Sequence, residues 1–163
     1  MDTPVTISSA EPGDFEQVKE LFQEYADSLP VSLDYQNFDN ELGSFPGKYS
    51  DRLGGTIVVA RDTLTDRIIG CVALRAISSS TCEIKRLYVK GEGRGLGIGK
   101  ILLQSVIQKA KQIGYSKVYL DTLPSMQKAI DLYLNFGFTT VDPYYDSPVT
   151  GTVFMQLDLC GSK

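Results

Sequence analysis

The chain has 163 residues, a net charge of −4 at pH 7 and no histidine. That length suits one domain with a sizeable hydrophobic core, and no run approaches the ~18 apolar residues of a membrane span. The acidic total argues against nucleic acid as a partner, because nucleic-acid binding needs a basic surface. The missing imidazole excludes the usual Ser/His and Cys/His nucleophile pairs and most transition-metal sites.

The N-terminal segment and the cysteines both favour a reducing compartment. MDTPVTISSAEPGDFEQ is acidic and polar, whereas a secretory signal has a cationic stretch followed by an apolar one. Cys71, Cys82 and Cys160 are an odd number without a CxxC pair, which fits reduced thiols better than a disulfide framework or a zinc site. We therefore predict a cytoplasmic protein without a membrane partner.

Hydrophobic periodicity predicts a strand, a helix and three further strands in the first half. PVTISSA alternates as a strand does, and EPGDFEQVKELFQEYADSL carries apolar residues at helical spacing. Residues 30–54 are irregular, and we predict a short helix and a loop there. GTIVVAR and RIIGCVALRAI predict a hairpin, and TCEIKRLYV predicts a third strand. Alternation along this third strand assigns Cys82, Ile84, Arg86 and Tyr88 to one face and Glu83, Lys85, Leu87 and Val89 to the other.

The second half alternates helices with strands. ILLQSVIQKAKQIG and SMQKAIDLYLNFG predict helices that end at Gly114 and Gly137, since glycine suits the left-handed cap. SKVYLDT and GTVFMQLDL predict strands, with a short extra strand at FTTV. The element order is β, α, β, β, β, α, β, α, β, which predicts one α/β domain over residues 1–163.

The segment RGLGIGK, residues 94–100, must be separated from two phosphate-binding motifs. A Walker A loop needs glycine where Arg94 stands and Ser or Thr where Ile101 stands. A dinucleotide fingerprint that starts at Gly93 or Gly95 would need glycine at position 98 or 100. The spacing therefore excludes both motifs.

What remains is R-x-x-G-x-G between a strand and a helix. Glycines let successive amide N–H groups turn inward, and the start of a helix adds partial positive charge, so the loop suits an anion such as pyrophosphate. The alternative is a flexible connection that only turns the chain. The arginine, the lysine and the strand–loop–helix setting together favour the anion site.

At this point the chain resembles the GNAT superfamily, the GCN-related N-acetyltransferases that transfer an acyl group from acyl-coenzyme A to an amine. The resemblance lies in CEIKRLYVKGEGRGLGIGKILLQSVIQKAKQIGYSKVYLDT and AIDLYLNFGF, which cover the central half of the chain, and element order extends it to nearly all of it. It implies a GNAT acyl-CoA N-acyltransferase fold (α+β by some schemes), with a central mixed, mostly antiparallel sheet flanked by helices. It also implies acetyl-coenzyme A (acetyl-CoA) as co-substrate and no metal.

The resemblance also implies which residues bind the donor. In the family, backbone groups of the strand before the loop bind the pantetheine arm, and the loop amides bind the pyrophosphate. In this sequence those positions are Leu87, Tyr88 and Val89, followed by Arg94, Gly95, Leu96, Gly97, Ile98, Gly99 and Lys100. Many members carry asparagine where Met126 stands, and here Ser125 could substitute for it.

The implied reaction needs a proton acceptor and a proton donor. An alkyl amine with a pKa near ~10.4 is about one part in ~10³ neutral at pH 7, a handicap of ~4 kcal/mol. Several family members use a glutamate at the strand position of Glu83, which makes it the candidate base. An ordinary carboxylate is a weak base for an ammonium, so we expect burial to raise its pKa or waters to relay the proton. The alternative role for Glu83 is a salt bridge with a strand lysine or arginine.

Two further side chains bear on the chemical route. Tyr133, in LYLNFGF, occupies the position of the tyrosine that many members use to protonate the coenzyme A sulfur; its alternative role is core packing. Cys82 suggests an acyl-cysteine route, but without an activating histidine it fits a small buried hydrophobe better. We therefore predict direct transfer.

The acceptor amine is not specified by the sequence. Tyr35, Phe38, Phe45, Tyr49, Tyr144, Tyr145 and Asp146 lie in the segments that select the acceptor in the family. Aromatic rings and a carboxylate suit a cationic amine, although loop aromatics also anchor loops.

The hypothesis is an N-acetyltransferase acting on a primary amine of a small molecule or peptide. The alternative is a non-catalytic acyl-CoA binding or sensing module. An edge-strand homodimer is common in the family and is neither indicated nor excluded.

Overall fold

The computed structural model describes residues 5–91 and 97–159. Within these two ranges the chain forms seven strands and four α-helices. In chain order they are β1 (Val5–Ser9), α1 (Phe15–Ser28), α2 (Phe38–Gly43), β2 (Thr56–Asp62), β3 (Ile68–Ala76), β4 (Thr81–Val89), α3 (Ile98–Ile113), β5 (Lys117–Thr122), α4 (Gln127–Phe136), β6 (Thr139–Val141) and β7 (Val153–Asp158). This order confirms the predicted elements, including the short helix in residues 30–54 and the extra strand at FTTV.

The seven strands form one mixed sheet in the order β1-β2-β3-β4-β5-β7-β6. Neighbouring strands are antiparallel, except that β4 and β5 run parallel because α3 crosses over between them. One apolar cluster packs α3 and α4 on one face of the sheet, and a second packs α1 and α2 on the other. The predicted mixed, mostly antiparallel sheet flanked by helices is therefore confirmed. None of the helices in the two described ranges is long and apolar enough to cross a bilayer.

The parallel pair β4 and β5 separates soon after it begins. Their register matches Thr81 with Lys117 and Glu83 with Tyr119, and it goes no further along the described strands. Over the same stretch β5 stays paired with β7 through Thr122. The sheet therefore opens into a cleft beyond Glu83.

A β-bulge in β4 changes which face its side chains occupy. The register against β3 passes from Tyr88–Cys71 to Lys85–Ala73, so β4 carries one extra residue there, and Arg86 adopts a left-handed φ of 62°. Past the bulge, Tyr88 joins the apolar cluster on the α1 side, and Leu87 and Val89 join the cluster on the α3 side. Simple alternation was therefore wrong for the last four residues of the strand: Arg86 and Tyr88 share a face with Glu83 and Lys85.

Candidate active site

The cleft between the diverging β4 and β5 is the candidate active site. Lys85 and Leu87 line it from β4, and Asp121 lines it from β5. Tyr25 of α1 and Tyr133 of α4 close its sides. The bulge at Arg86 lies in the part of β4 that borders the cleft. Aliphatic and aromatic lining residues with a few charged groups are typical of small-molecule sites.

Glu83 lies just below the cleft and is almost fully buried, with 1% of its surface exposed. Arg75 donates from Nε to its Oε1 at 2.8 Å, and Tyr144 donates from its hydroxyl to Oε2 at 2.6 Å. The Lys85 ammonium stands 3.9 Å from Oε1. The salt bridge that the sequence offered as an alternative is therefore present, with a hydroxyl donor in addition.

The expected increase in the pKa of Glu83 is not found. Burial works to raise the pKa of this carboxyl, but the charge of Lys85, the hydrogen bond from Tyr144 and the Arg75 guanidinium together hold it below its ordinary value. Each of these three groups favours the ionised form. Glu83 is therefore a weaker base than a free carboxylate. We had expected either a pKa raised by burial or a proton relayed through waters, and the relay is the expectation that remains.

Tyr133 lies on α4 and faces the cleft with 7% of its surface exposed. Its ring packs against Phe138 at a centroid distance of 5.7 Å, so the side chain also contributes to the core. Its hydroxyl donates no hydrogen bond to the described residues. Burial, with smaller contributions from Tyr25 and Asp121, raises the pKa of Tyr133 well above its usual value, so the hydroxyl keeps its proton at neutral pH.

Lys85 and Asp121 are charged cleft residues that the sequence argument did not single out. Each lies two residues beyond the last paired positions, Glu83 and Tyr119, and both line the cleft. Lys85 lies two positions after Glu83, and Asp121 lies two positions after Tyr119, so each shares a strand face with the earlier residue. This spacing indicates a common site only when β4 and β5 are known to be parallel and in this register. The Asp121 carboxylate accepts a short hydrogen bond from the Tyr145 hydroxyl.

A buried ion pair joins α2 to the bulge. Arg86 donates from Nε and Nη2 to the two oxygens of Glu41 at 2.9 Å each, and Nη1 reaches the side chain of Gln36. Glu41 is 8% exposed and Arg86 is 3% exposed. Burial opposes ionisation of Glu41, but Arg86 and Lys48 outweigh it and lower the pKa of this carboxyl. Arg86 thus ties α2, and Gln36 of the segment that lines the cleft, to the bulge.

The predicted donor-binding residues on β4 divide between the two faces. Leu87 lines the cleft, and Val89 points toward the first turn of α3. Tyr88 points the other way and packs its ring against Tyr25, with its hydroxyl 3.4 Å from the Glu24 carboxylate. The prediction for Tyr88 was that its backbone groups bind the pantetheine arm. The direction of its side chain is compatible with that prediction.

The predicted loop lies partly within the described ranges. Arg94, Gly95 and Leu96 lie outside them. Gly97 has a φ of 76° and precedes Ile98, the first residue of α3, so it supplies a backbone conformation that other residues rarely adopt. The Lys100 side chain is exposed and borders a shallow pocket with the end of α4. Ser125 is exposed in the turn before α4, beside Met126, which lines the cleft.

Most of the aromatic residues offered for acceptor binding anchor loops instead. Phe38 and Tyr49 are buried, and Phe45 packs edge-on against Phe22 at 5.5 Å. Tyr35 is the member of this group that lines the cleft. Tyr144 and Tyr145 pack edge-on against Phe154 of β7. The Tyr144 hydroxyl donates to Glu83, and the Tyr145 hydroxyl donates to Asp121. Asp146 is exposed.

The described thiols are poorly placed for nucleophilic chemistry. Cys82 is fully buried on the α3 side of the sheet, opposite Glu83, and burial raises the pKa of its thiol to about 12. Cys71 is also fully buried, and burial raises its pKa further. Among residues 5–91 and 97–159, no cluster of His, Cys, Asp and Glu side chains could hold a metal ion.

Comparison with solved structures defines the class of fold. A GNAT-family acetyltransferase from Staphylococcus aureus superposes with a TM-score of 0.77 at 23% identity, over 95% of this chain and 99% of that one. A putative acetyltransferase from Salmonella typhimurium, solved with acetyl-CoA, gives 0.73 at 21% identity, over 96% and 94%. The fold is therefore that of the acyl-CoA N-acyltransferases.

Sequence comparison gives the family. The model of the acetyltransferase (GNAT) family matches residues 15–138. An uncharacterised N-acetyltransferase of Schizosaccharomyces pombe is 40% identical over 157 residues, which is 95% of each chain. Another from Dictyostelium discoideum is 33% identical, over 88% of this chain and 94% of that one. The chain belongs to the GNAT family and is an acyltransferase.

Proposed function

We propose that this protein is an N-acetyltransferase that moves an acetyl group from acetyl-CoA directly to a primary amine of a small molecule or peptide. The observation that carries the proposal is the cleft itself. Tyr133, Asp121 and Lys85 line it, beside the part of β4 whose pairing with β5 has stopped. Acetyl-CoA as the donor is also supported by the neighbouring structure that contains it.

The donor would extend from the cleft to the start of α3. The part of β4 that no longer pairs with β5 would receive the pantetheine arm near Leu87. The amides from Gly97 onward and the exposed Lys100 would receive the pyrophosphate, because a helix N-terminus presents unpaired N–H groups and partial positive charge. Ser125 would contact the donor from the turn before α4.

Transfer requires one bond to form and one to break. The neutral amine nitrogen attacks the thioester carbonyl carbon, the carbon–sulfur bond breaks, and the coenzyme A thiolate leaves. Tyr133 would supply the proton that the thiolate takes up, since burial keeps its hydroxyl protonated. The proton that the nitrogen loses as the amide forms would restore the Tyr133 hydroxyl. Glu83 would receive the ammonium proton through a relay, because its carboxylate lies below the cleft and already accepts from Arg75 and Tyr144.

Direct attack is favoured over an acyl-enzyme. Cys82 lies on the far face of the sheet from Glu83, and its raised pKa leaves very little thiolate at neutral pH. A ternary complex that holds amine and thioester together can supply much of the acceleration by proximity alone. No covalent step through a described cysteine is needed.

The test combines donor binding with turnover. Acetyl-CoA should raise the Tm of the protein, and free thiol should appear when an amine from a panel of polyamines, amino acids, aminoglycosides and peptide N-termini is added. Thermal stabilisation without thiol release across the whole panel would instead support the non-catalytic acyl-CoA module and would overturn the proposed reaction.

A further inference from the structure

Lys85 is a buried cation whose hydrogen-bonding capacity is unused. Its side chain is 8% exposed and lines the cleft, and Glu83 Oε1 stands 3.9 Å from its ammonium. Among the described residues, Nζ donates no hydrogen bond. An ammonium has three hydrogen-bond donors, and those of Lys85 are available in the cleft, so the position suits an anionic group brought in by a ligand.

Asp121 presents the opposite charge across the same opening. It lies two residues beyond Tyr119 on β5, as Lys85 lies two residues beyond Glu83 on β4, and both residues line the cleft where the strands part. Asp121 accepts from the Tyr145 hydroxyl and forms no ion pair with the described residues. A carboxylate has about four lone-pair sites, so most of its acceptor capacity remains.

Lys85 and Asp121 are also close enough to influence each other electrostatically without forming an ion pair. Burial lowers the pKa of Lys85, while the charges of Glu83 and Asp121 oppose that decrease. A ligand carboxylate beside Lys85 would oppose it further and favour the ammonium form. A ligand ammonium beside Asp121 would complete the second pair. The cleft is thus complementary to a molecule that carries both charges.

We infer that the acceptor is an amine that also carries a carboxylate, as an amino acid does, with its amine held at Asp121 and its carboxylate at Lys85. The inference rests on the proposed function and narrows its substrate class. A polyamine would bring a second cation against Lys85, which like-charge repulsion disfavours. Arg86, the neighbouring cation, is already occupied by Glu41 and Gln36, so Lys85 carries the selection.

The experiment measures thiol release from acetyl-CoA with matched acceptors. Each amino acid of a set with varied side chains is compared with its carboxamide and its decarboxylated amine. For at least one amino acid we expect kcat/KM to exceed that of both of its relatives without a carboxylate by roughly 10- to 100-fold, the value of one charge-assisted hydrogen bond. This comparison uses the unaltered protein and does not depend on the folding of any variant.

Two variants assign the selectivity to its residues. Lys85→Met should reduce the acid-to-carboxamide ratio to near one, mainly through KM, and Asp121→Asn should weaken all three acceptors together. Lys117→Met, at the paired end of β5, should keep the ratio of the unaltered protein.

Three results would contradict the inference. Equal kcat/KM for the amino acids and their relatives without a carboxylate would overturn it and leave the proposed function standing. An equal loss of kcat for all acceptors in Lys85→Met would do the same, because it would assign Lys85 to the chemical step. Absence of thiol release with every acceptor would overturn both proposals.

Discussion

The hydroxyl of Tyr144 donates a 2.6 Å hydrogen bond to Oε2 of Glu83, across 61 residues of sequence. Burial tends to raise the pKa of Glu83, and this hydrogen bond, with the charges of Lys85 and Arg75, keeps it low. The loop before β7 therefore controls the proton affinity of the carboxyl that the sequence identifies as the candidate base.

Tyr144→Phe should raise the pKa of Glu83, because the ionised form loses a donor. A group that must be ionised limits the rate as pH falls through its pKa, so the acid limb of the kcat/KM profile should move to higher pH. Stability at pH 7 should fall by roughly 1.5–3 kcal/mol, the range for a hydrogen bond to a charged group.

The controls separate Glu83 from the rest of the cleft. The Tyr119 ring lies 5.2 Å from the Tyr144 ring, centroid to centroid. Tyr119→Phe removes the hydroxyl of this neighbouring ring and should leave the acid limb in place. Glu83→Gln should depress the acid limb itself. An identical limb in the unaltered protein, Tyr144→Phe and Glu83→Gln would remove Glu83 from the proton path.

Tyr133→Phe tests the proton donor. The substitution keeps the ring against Phe138 and removes the hydroxyl, so Tm should change little. Because general-acid catalysis contributes ~10²-fold or more, kcat should fall by about that factor while KM for acetyl-CoA stays near its original value. Full retention of kcat would leave Tyr133 with a packing role alone.

Glu41→Gln tests the buried pair with Arg86 through the pH dependence of stability. Folding lowers the pKa of Glu41 below its ordinary value of 4.5. The unfolded chain therefore binds more protons in the window below 4.5, and the stabilisation is complete above that window and lost as pH falls through the folded-state pKa. We expect a loss of roughly 3 kcal/mol or more at pH 7, because Arg86 is left buried without its partner.

The difference between Glu41→Gln and the unaltered protein should shrink as pH falls below the folded-state pKa. Urea unfolding at a series of pH values measures it. Glu16→Gln is the control, since this glutamate is 87% exposed and pairs with Lys19 on the surface of α1. A pH-independent difference would mean that the charge of Glu41 does not stabilise the folded protein.

Gly99→Ala separates donor binding from folding. A Cβ at this position would meet Val89 Cγ2 at 3.9 Å, an ordinary contact, and alanine favours a helix over glycine by up to ~1 kcal/mol. Stability should therefore stay level or rise. Acetyl-CoA affinity should fall, because the added carbon intrudes where the pyrophosphate would approach the backbone.

Calorimetry with acetyl-CoA and thermal unfolding give the two readouts for Gly99→Ala. Gly43→Ala at the end of α2 is the matched control, since a Cβ there has open space. Unchanged affinity in Gly99→Ala would place the pyrophosphate elsewhere.

The order of elements could be predicted from the sequence because apolar spacing and glycine caps are local signals. Gly114 adopts a φ of 109° and ends α3 as predicted. The bulge in β4 could not be predicted in this way. Arg86, which is not a glycine, adopts the left-handed conformation there and is paired with Glu41 from 45 residues earlier.

The cleft was predicted in part for a similar reason. The glycine loop, Glu83 and Tyr133 lie in motifs whose roles the family resemblance predicts. Asp121 stands in a strand that alternates without any special spacing, and its relation to Lys85 appears only once β4 and β5 are paired in parallel. The low pKa of Glu83 depends on Tyr144, a contact that no local pattern specifies.

A single-turnover experiment tests direct transfer to an amine most directly. Enzyme in excess over acetyl-CoA is mixed with an accepted amine and quenched at intervals, and free coenzyme A, N-acetylated amine and intact protein mass are measured together. We predict that coenzyme A and N-acetylated amine appear one to one at the same rate, with the protein mass unchanged throughout. A protein that gains an acetyl group before the product forms and loses it afterwards, or coenzyme A without an acetylated amine, would contradict this account.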